Sequence, residues 1–358
     1  MTTTAPDPIT TEVLFSADSH IMEPVDLWKN GVPTSMRADA PLFPPHKVGE
    51  GFQSQPGGWD GEARLGEMAE DGVSAEVIYP TLGLGLFGLD DAKMQEACFE
   101  VYNDWLANYC SVAPERLIGI AMIPTYNIEN AVAELERSAK AGLRGALVWQ
   151  TPHPDLAFST GHYDPLWEAA QSLDMPISLH ILTGHGYSKA QFVRIAKGEP
   201  NLGVNAYRDS VNTKHYEVSN SVLDLIFSGA LERFDKLKFV IVENEAGWIP
   251  FMLQQWDYYY NRFKGRNPMP MKLKPSEYFQ RQGYATFFKD AVGGQAFAFW
   301  GEDSCMWSND FPHENTTWPH SRDVIADTLG HLPENVRTKL LRTNAERLYS
   351  LHIPDSMP

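Results

Sequence analysis

The sequence predicts an α/β chain folded as a distorted (β/α)8 TIM barrel, with long insertions over the face where the strands end. Three observations predict it. Short apolar runs alternate with helical patterns along nearly all of the 358 residues, an order that builds a parallel sheet rather than a sandwich or a bundle. Eight such runs are present, the number a closed barrel needs. Several runs end in polar residues, and the carboxyl ends of its strands are where a barrel carries its chemistry. No linker-like stretch interrupts the pattern, so residues 1–358 read as one domain.

The first strand is VLFSAD (13–18), ending at Asp18-Ser19-His20, and the second is VSAEVIYP (73–80), followed by Gly-rich TLGLGLFG and a helix over 91–109. The third is RLIGIAMIP (116–124). Its helix covers 128–141, where Ala131, Val132, Leu135 and Ala139 form an inward stripe and Gly142 a stop signal. Strands at 143–149 and 176–182 flank a helix at 163–173, and strands at 238–244, 284–288 and 304–312 follow. Helices at 321–328 and 334–349 complete the chain. Segments 29–64, 184–235 and 257–283 are too long for tight barrel loops and read as insertions that shape the site. The middle one carries Tyr187, Lys189, Arg194, Arg208, Lys214 and His215, suited to an anionic substrate; with Trp256 and Tyr258 to Tyr260, its aromatic residues suggest a lid or a subunit contact.

Composition narrows the function. With 29 Lys plus Arg against 46 Asp plus Glu the formal charge is −17, which argues against nucleic acid and against an anionic membrane surface as partners. Residues 1–11 lack a basic start and an apolar run, and no stretch is long enough to span a membrane. Cys98, Cys110 and Cys305 show no zinc or redox spacing, which suits a reducing cytoplasm and buried packing roles.

The polar strand ends suggest a metal centre. Asp18 and His20 lie two apart and share a strand face. His180 ends the fifth strand and Asp310 the eighth. Asp18, His20, His180 and Asp310 together would balance a divalent ion and leave room for water or substrate. Singly, each has a duller reading as a core histidine or a turn-fixing carboxylate. Glu243, after four apolar residues in FVIVENEAGWIP, is a candidate for proton transfer because burial would raise its pKa; it could instead bind the ion or pair with a buried arginine, and Glu245 shares its face. His313 in NDFPH is a hydrogen-bond partner or proton donor beside Asp310, and Asp310 can itself act as a base. His185 and His215 are candidate substrate contacts, and Glu23 with Pro24 ties down the exit of the first strand, Glu23 being also available as an acceptor near the ion.

ADSHIMEP (17–24), SLHILTGHG (178–186), VENEAGWIP (242–250), MWSNDFPHENTTWP (306–319) and NAERLY (344–349) together resemble the amidohydrolase-related family. This is the branch of the amidohydrolase superfamily that includes aminocarboxymuconate-semialdehyde decarboxylase. The resemblance implies metal ligands at Asp18, His20, His180 and Asp310. It also implies two departures: Asp-Ser-His replaces His-x-His on the first strand, and ENEAGW replaces a histidine motif on the sixth. The expected function is metal-assisted hydrolysis of a C–N or C–C bond in a small carbonyl compound, with nonoxidative decarboxylation of an aromatic or unsaturated acid as the alternative and a degenerate binding barrel as the third reading. Zinc is the first choice of metal, with manganese or iron as alternatives, and a homo-oligomer, taken as a dimer, is expected.

Overall fold

The computed structural model describes residues 11–43, 55–186, 188–190, 203–204 and 208–354. Eight parallel strands form one sheet in sequence order: β1 (Leu14–His20), β2 (Val73–Tyr79), β3 (Leu117–Met122), β4 (Gly145–Val148), β5 (Ile177–His180), β6 (Phe239–Val242), β7 (Gly283–Phe287) and β8 (Cys305–Trp307). Nearly every strand residue is buried, as expected where helices cover one face of a parallel sheet and the barrel interior the other. The barrel closes through the chain just beyond β8. Asp310 N donates to Asp18 O at 3.1 Å and His20 N to Phe311 O at 2.6 Å. The predicted eighth strand stops early, at Trp307, and beyond it Asp310 turns into the left-handed region at φ 53.

Local chemistry starts and stops the helices. Asp60 accepts from Glu62 N and Ala63 N to open Gly61–Asp71, and Gly72 closes it at φ 71. Asp91 caps Ala92–Cys110 in the same way, and Asn127 caps Ile128–Lys140. Asp164–Ser172 occupies the space between β4 and β5. The cysteines are all buried and unpaired by disulfides.

Two expectations need correction. Residues 257–283 are mostly helical, not a loop: the helix Ile249–Phe263 runs into this stretch and Pro275–Gln282 follows. Leu253, Trp256 and Tyr260 are buried at helical spacing, so two of the aromatics read as lid residues anchor a helix to the barrel. The closing segment is also not one regular helix, since a π turn at Lys339–Thr343 separates Glu334–Thr338 from Asn344–Leu348. Asn344 there donates to the carbonyls of Glu302 and Cys305, holding the entry of β8. The middle insertion contains the helix Lys214–Phe227. Tyr187 and Arg194 lie outside the described residues. Among the described residues no helix is long and apolar enough to cross a membrane.

Candidate metal centre

The strand ends converge as the barrel closes. His20 Nε2 lies 3.5 Å from Asp18 Oδ1, 3.4 Å from His180 Nε2, 3.7 Å from Glu243 Oε2 and 3.7 Å from Asp310 Oδ1. His180 Nε2 lies 3.5 Å from Glu243 Oε2 and 3.8 Å from Asp18 Oδ1. Two donor groups result, each with its ligand atoms within 4.8 Å of one another: Asp18, His20, His180 and Glu243; and His20, Glu243, Asp310 and His313. The first contains Glu243 where sequence reasoning placed Asp310.

Backbone carbonyls fix both imidazoles. His20 Nδ1 lies 2.8 Å from Pro80 O and His180 Nδ1 2.7 Å from Ile181 O. A carbonyl only accepts, so each Nδ1 carries the proton, and a neutral ring turns the lone pair of Nε2 inward. Two such lone pairs at 3.4 Å, beside three carboxylates, are a destabilised arrangement unless a cation sits among them. Both oxygens of Asp18 are buried without a hydrogen-bond partner, and buried carboxylates left in this way require a counter-charge. The residues fit a divalent ion, and a divalent-metal site is present.

The groups perturb one another strongly. Burial would lower the His180 pKa, but Asp18 outweighs it and raises it, so in the absence of an ion this ring is drawn toward its charged form. Burial raises the Asp18 pKa, opposed by His180. Burial and then the neighbouring Asp310 push Glu243 up to about 8. Burial, with His313 and His180 nearby, holds His20 well below its usual value, which keeps its ring neutral. Burial would lower His313 too, but Asp310 outweighs it and raises the pKa to about 9. His313 Nδ1 lies 2.8 Å from Asp310 Oδ1, its Nε2 lies 3.1 Å from Thr81 Oγ1, and its ring stacks on His20 at 3.9 Å. Glu243 and Asp310 adopt φ 56 and φ 53. Such left-handed backbone in bulky residues is uncommon and clusters at functional sites.

Other candidates fall elsewhere. Glu245 also has positive φ, but its Oε2 accepts from Phe288 N at 3.2 Å and ties the exits of β6 and β7 together. Glu23 accepts from the backbone N–H groups of Thr81, Leu82 and Gly83, so it ties the exit of β1 to the chain after β2 and does not stand as an acceptor at the ion. A Cβ at Gly83 would stand 3.1 Å from Glu23 Oε1, which is why glycine suits that approach. His185 packs among His153, Tyr126 and Trp149, with Nε2 3.3 Å from Asp90 Oδ1. His215 packs edge-on against Trp248, whose Nε1 donates to the carbonyls of Asn244 and Glu245 beyond β6. Neither histidine belongs to a donor group. Lys189 pairs with Asp90 at 2.6 Å.

Sequence reasoning missed Thr81 and a buried support beneath β1. Arg64 Nε donates to Glu76 Oε2 at 2.5 Å and its Nη1 to His20 O at 2.8 Å; Asn309 Nδ2 donates to Glu76 Oε1 at 2.9 Å. Asn309 also donates its backbone N–H to Ser16 Oγ. The signal available was Glu76 itself, a charge inside an apolar strand, which must find a partner when buried.

The amidohydrolase family model matches residues 17–351. A gamma-resorcylate decarboxylase from Rhizobium sp. (strain MTP-10005) is 28% identical over 261 residues, covering 70% of this chain and 75% of that protein. Two solved structures share the fold. An amidohydrolase from Mycobacterium avium subsp. paratuberculosis K-10 superposes with TM-score 0.75 at 18% identity, over 94% of this chain and 99% of that one. A dihydroxybenzoic acid decarboxylase from Polaromonas sp. JS666, with bound manganese and the inhibitor 2-nitroresorcinol, gives 0.68 at 21% identity, over 95% and 97%. From a family match spanning nearly the whole barrel, with strand ends that gather a divalent-metal site, it follows that the chain belongs to the amidohydrolase family and is a metal-dependent enzyme, a hydrolase or carboxy-lyase.

Proposed function

We propose that the enzyme is a nonoxidative decarboxylase of an aromatic acid carrying a hydroxyl beside its carboxylate. The observation that carries this reading is the His313–Asp310 pair, 2.8 Å apart, held against a four-donor group. The resorcylate and dihydroxybenzoic acid decarboxylases among its relatives support it over hydrolysis. Asp18, His20, His180 and Glu243 would hold the ion, with Asp310 flanking it. Manganese becomes the first choice over zinc on the likeness to the manganese-bound relative.

When bound, the ion would supply positive charge to hold the substrate carboxylate and its neighbouring oxygen. His313, its pKa held up to about 9 by Asp310 against burial, carries the transferable proton of the pair and hands it across the 2.8 Å contact to Asp310 as the substrate reacts. That proton passes to the ring carbon bearing the carboxylate. The C–C bond then breaks, its electron pair restores the aromatic ring, and carbon dioxide leaves; a proton from solvent returns to His313 and restores the pair. Thr81 holds the far side of the His313 ring, and burial of the donor group excludes water from competing for the proton. His215 beside Trp248 and His185 beside Tyr126 are the substrate-side residues of this reading.

The second reading, hydrolysis of a C–N or C–C bond, uses the same Asp310–His313 pair to take a proton from water. The test is a panel of ortho-hydroxybenzoates and of amides offered to manganese-loaded and zinc-loaded enzyme, with carbon dioxide and ring products quantified. Carbon dioxide release that disappears in Asp310→Asn while metal content persists supports decarboxylation. Turnover of amides alone rejects it.

A further inference from the structure

The opposite end of the barrel holds a second concentration of charge. Lys238, Tyr284 and Ser304 stand at the entries of β6, β7 and β8, and with Arg281 and Arg347 they line a cleft of about 320 Å3. That is the lower end of the range of roughly 300–1,000 Å3 for small-molecule sites. In a chain of net charge −17, the cations of a cleft are expected to form ion pairs with neighbouring acids, and although Asp174 and Asp303 line this cleft, its three cations form none among the described residues. Lys238 Nζ donates to Arg281 O at 2.7 Å. Arg281 donates through Nε and Nη2 to Gln282 Oε1 and through Nη2 to Leu231 O. Arg347 donates to Tyr284 OH at 3.3 Å, to Asn344 Oδ1 at 3.0 Å and to the carbonyl of Asp303. Every one of these acceptors is uncharged, and among the described residues none of the three cations lies within ion-pair distance of a carboxylate.

Neither of the two lining carboxylates is hydrogen-bonded to these cations. Asp303 Oδ1 pairs with Lys339 Nζ at 2.9 Å, and Asp174 Oδ2 accepts from Ser350 Oγ at 2.6 Å. Burial and the charges of Arg281 and Arg347 hold the Lys238 ammonium below its usual pKa, with Asp174 opposing them. Three mutually repelling cations are thus kept in one cleft by neutral hydrogen bonds that the arginines make through Nε and Nη2.

We propose that this cleft binds a small phosphate-bearing anion, gripped by Arg281, Arg347 and Lys238 with Tyr284 OH as a neutral contact. Arginine amino groups and a lysine ammonium suit the several oxygens of a phosphate. An anion placed there relieves the repulsion and ties together the entries of β6, β7 and β8, whose far ends lead to Glu243 and Asp310. The site is separate from the metal centre and stands whether or not the decarboxylase reading holds.

Metal-loaded enzyme is titrated with inorganic phosphate and, in parallel, with glycerol phosphate, by calorimetry and by thermal unfolding at ionic strength held constant with chloride. Saturable binding and a rise in melting temperature are expected in the wild type. Arg281→Gln, Arg347→Gln and Lys238→Gln should each weaken binding roughly tenfold, the loss of one charge-assisted hydrogen bond, and Arg281→Gln/Arg347→Gln should abolish it. Absence of binding in the wild type overturns the proposal. So does binding that survives unchanged in the variants, which would place the anion elsewhere, the metal centre included. The single variants decide the matter should the double variant fail to fold.

Discussion

Arg64→Met removes a charge from beneath the metal centre, and its cost follows from the contacts. Arg64 is fully buried, 2.5 Å from a Glu76 carboxylate that is itself buried, donates to the carbonyl of His20, and lies 4.3 Å over the ring of Phe311. Methionine keeps an apolar stem but leaves Glu76 as an uncompensated charge, which costs about 3–5 kcal/mol. Losing the donor to His20 O adds about 1 kcal/mol. Against a total stability of about 5–15 kcal/mol, this is a large fraction. Urea unfolding followed by fluorescence of the buried Trp28, Trp149, Trp167 and Trp307 reads it directly. The double variant Arg64→Met/Glu76→Gln removes the stranded charge, so it should recover at least half of the loss, with a coupling well beyond additivity. A single-variant loss under about 1 kcal/mol, or a double variant whose losses simply add, would refute the claim that this ion pair holds the end of β1.

Three further outcomes are expected. Asp18→Asn and His180→Ala should leave folded protein whose metal content, measured by elemental mass spectrometry, falls from stoichiometric to a small fraction; full metal in both would remove these residues from the ligand set. Glu243→Gln should also lose metal, and because wild-type Glu243 must shed a proton held up to about 8, wild-type affinity should climb as pH rises toward 8 and the variant should lose part of that slope. Retained metal with lost turnover would instead make Glu243 a proton carrier. Glu23 has a folded pKa raised from 4.5 to about 7 by burial, opposed by the N–H groups it accepts from. Its proton-linked stabilisation is present below the unfolded pKa and is lost as pH rises through the folded one. The stability of wild type relative to Glu23→Gln should therefore fall by up to roughly 3 kcal/mol between acid and mildly alkaline pH, and a pH-independent difference would contradict this.

The sequence by itself determined the barrel. Apolar runs bounded by turn residues specify strands locally, caps such as Asp60, Asp91 and Asn127 specify where helices begin, and both are readable without knowing what packs on what. It also marked Asp18, His20, His180, Glu243, Asp310 and His313, because polar residues at the ends of buried strands are conspicuous. Tertiary structure alone decided how they meet. Closure of the β8 exit on β1 sets Asp310 beside His20, and the left-handed turns at Glu243 and Asp310 aim carboxylates in a way no propensity foretells. Trp256 and Tyr260 looked like lid residues until the helix Ile249–Phe263 gave them a common buried face. The support from Arg64 to Glu76, and the exclusion of Glu23 from the ion, rest on contacts between residues far apart in the chain. Such pairings carry no local signal, because they are set by which elements the closed barrel makes neighbours.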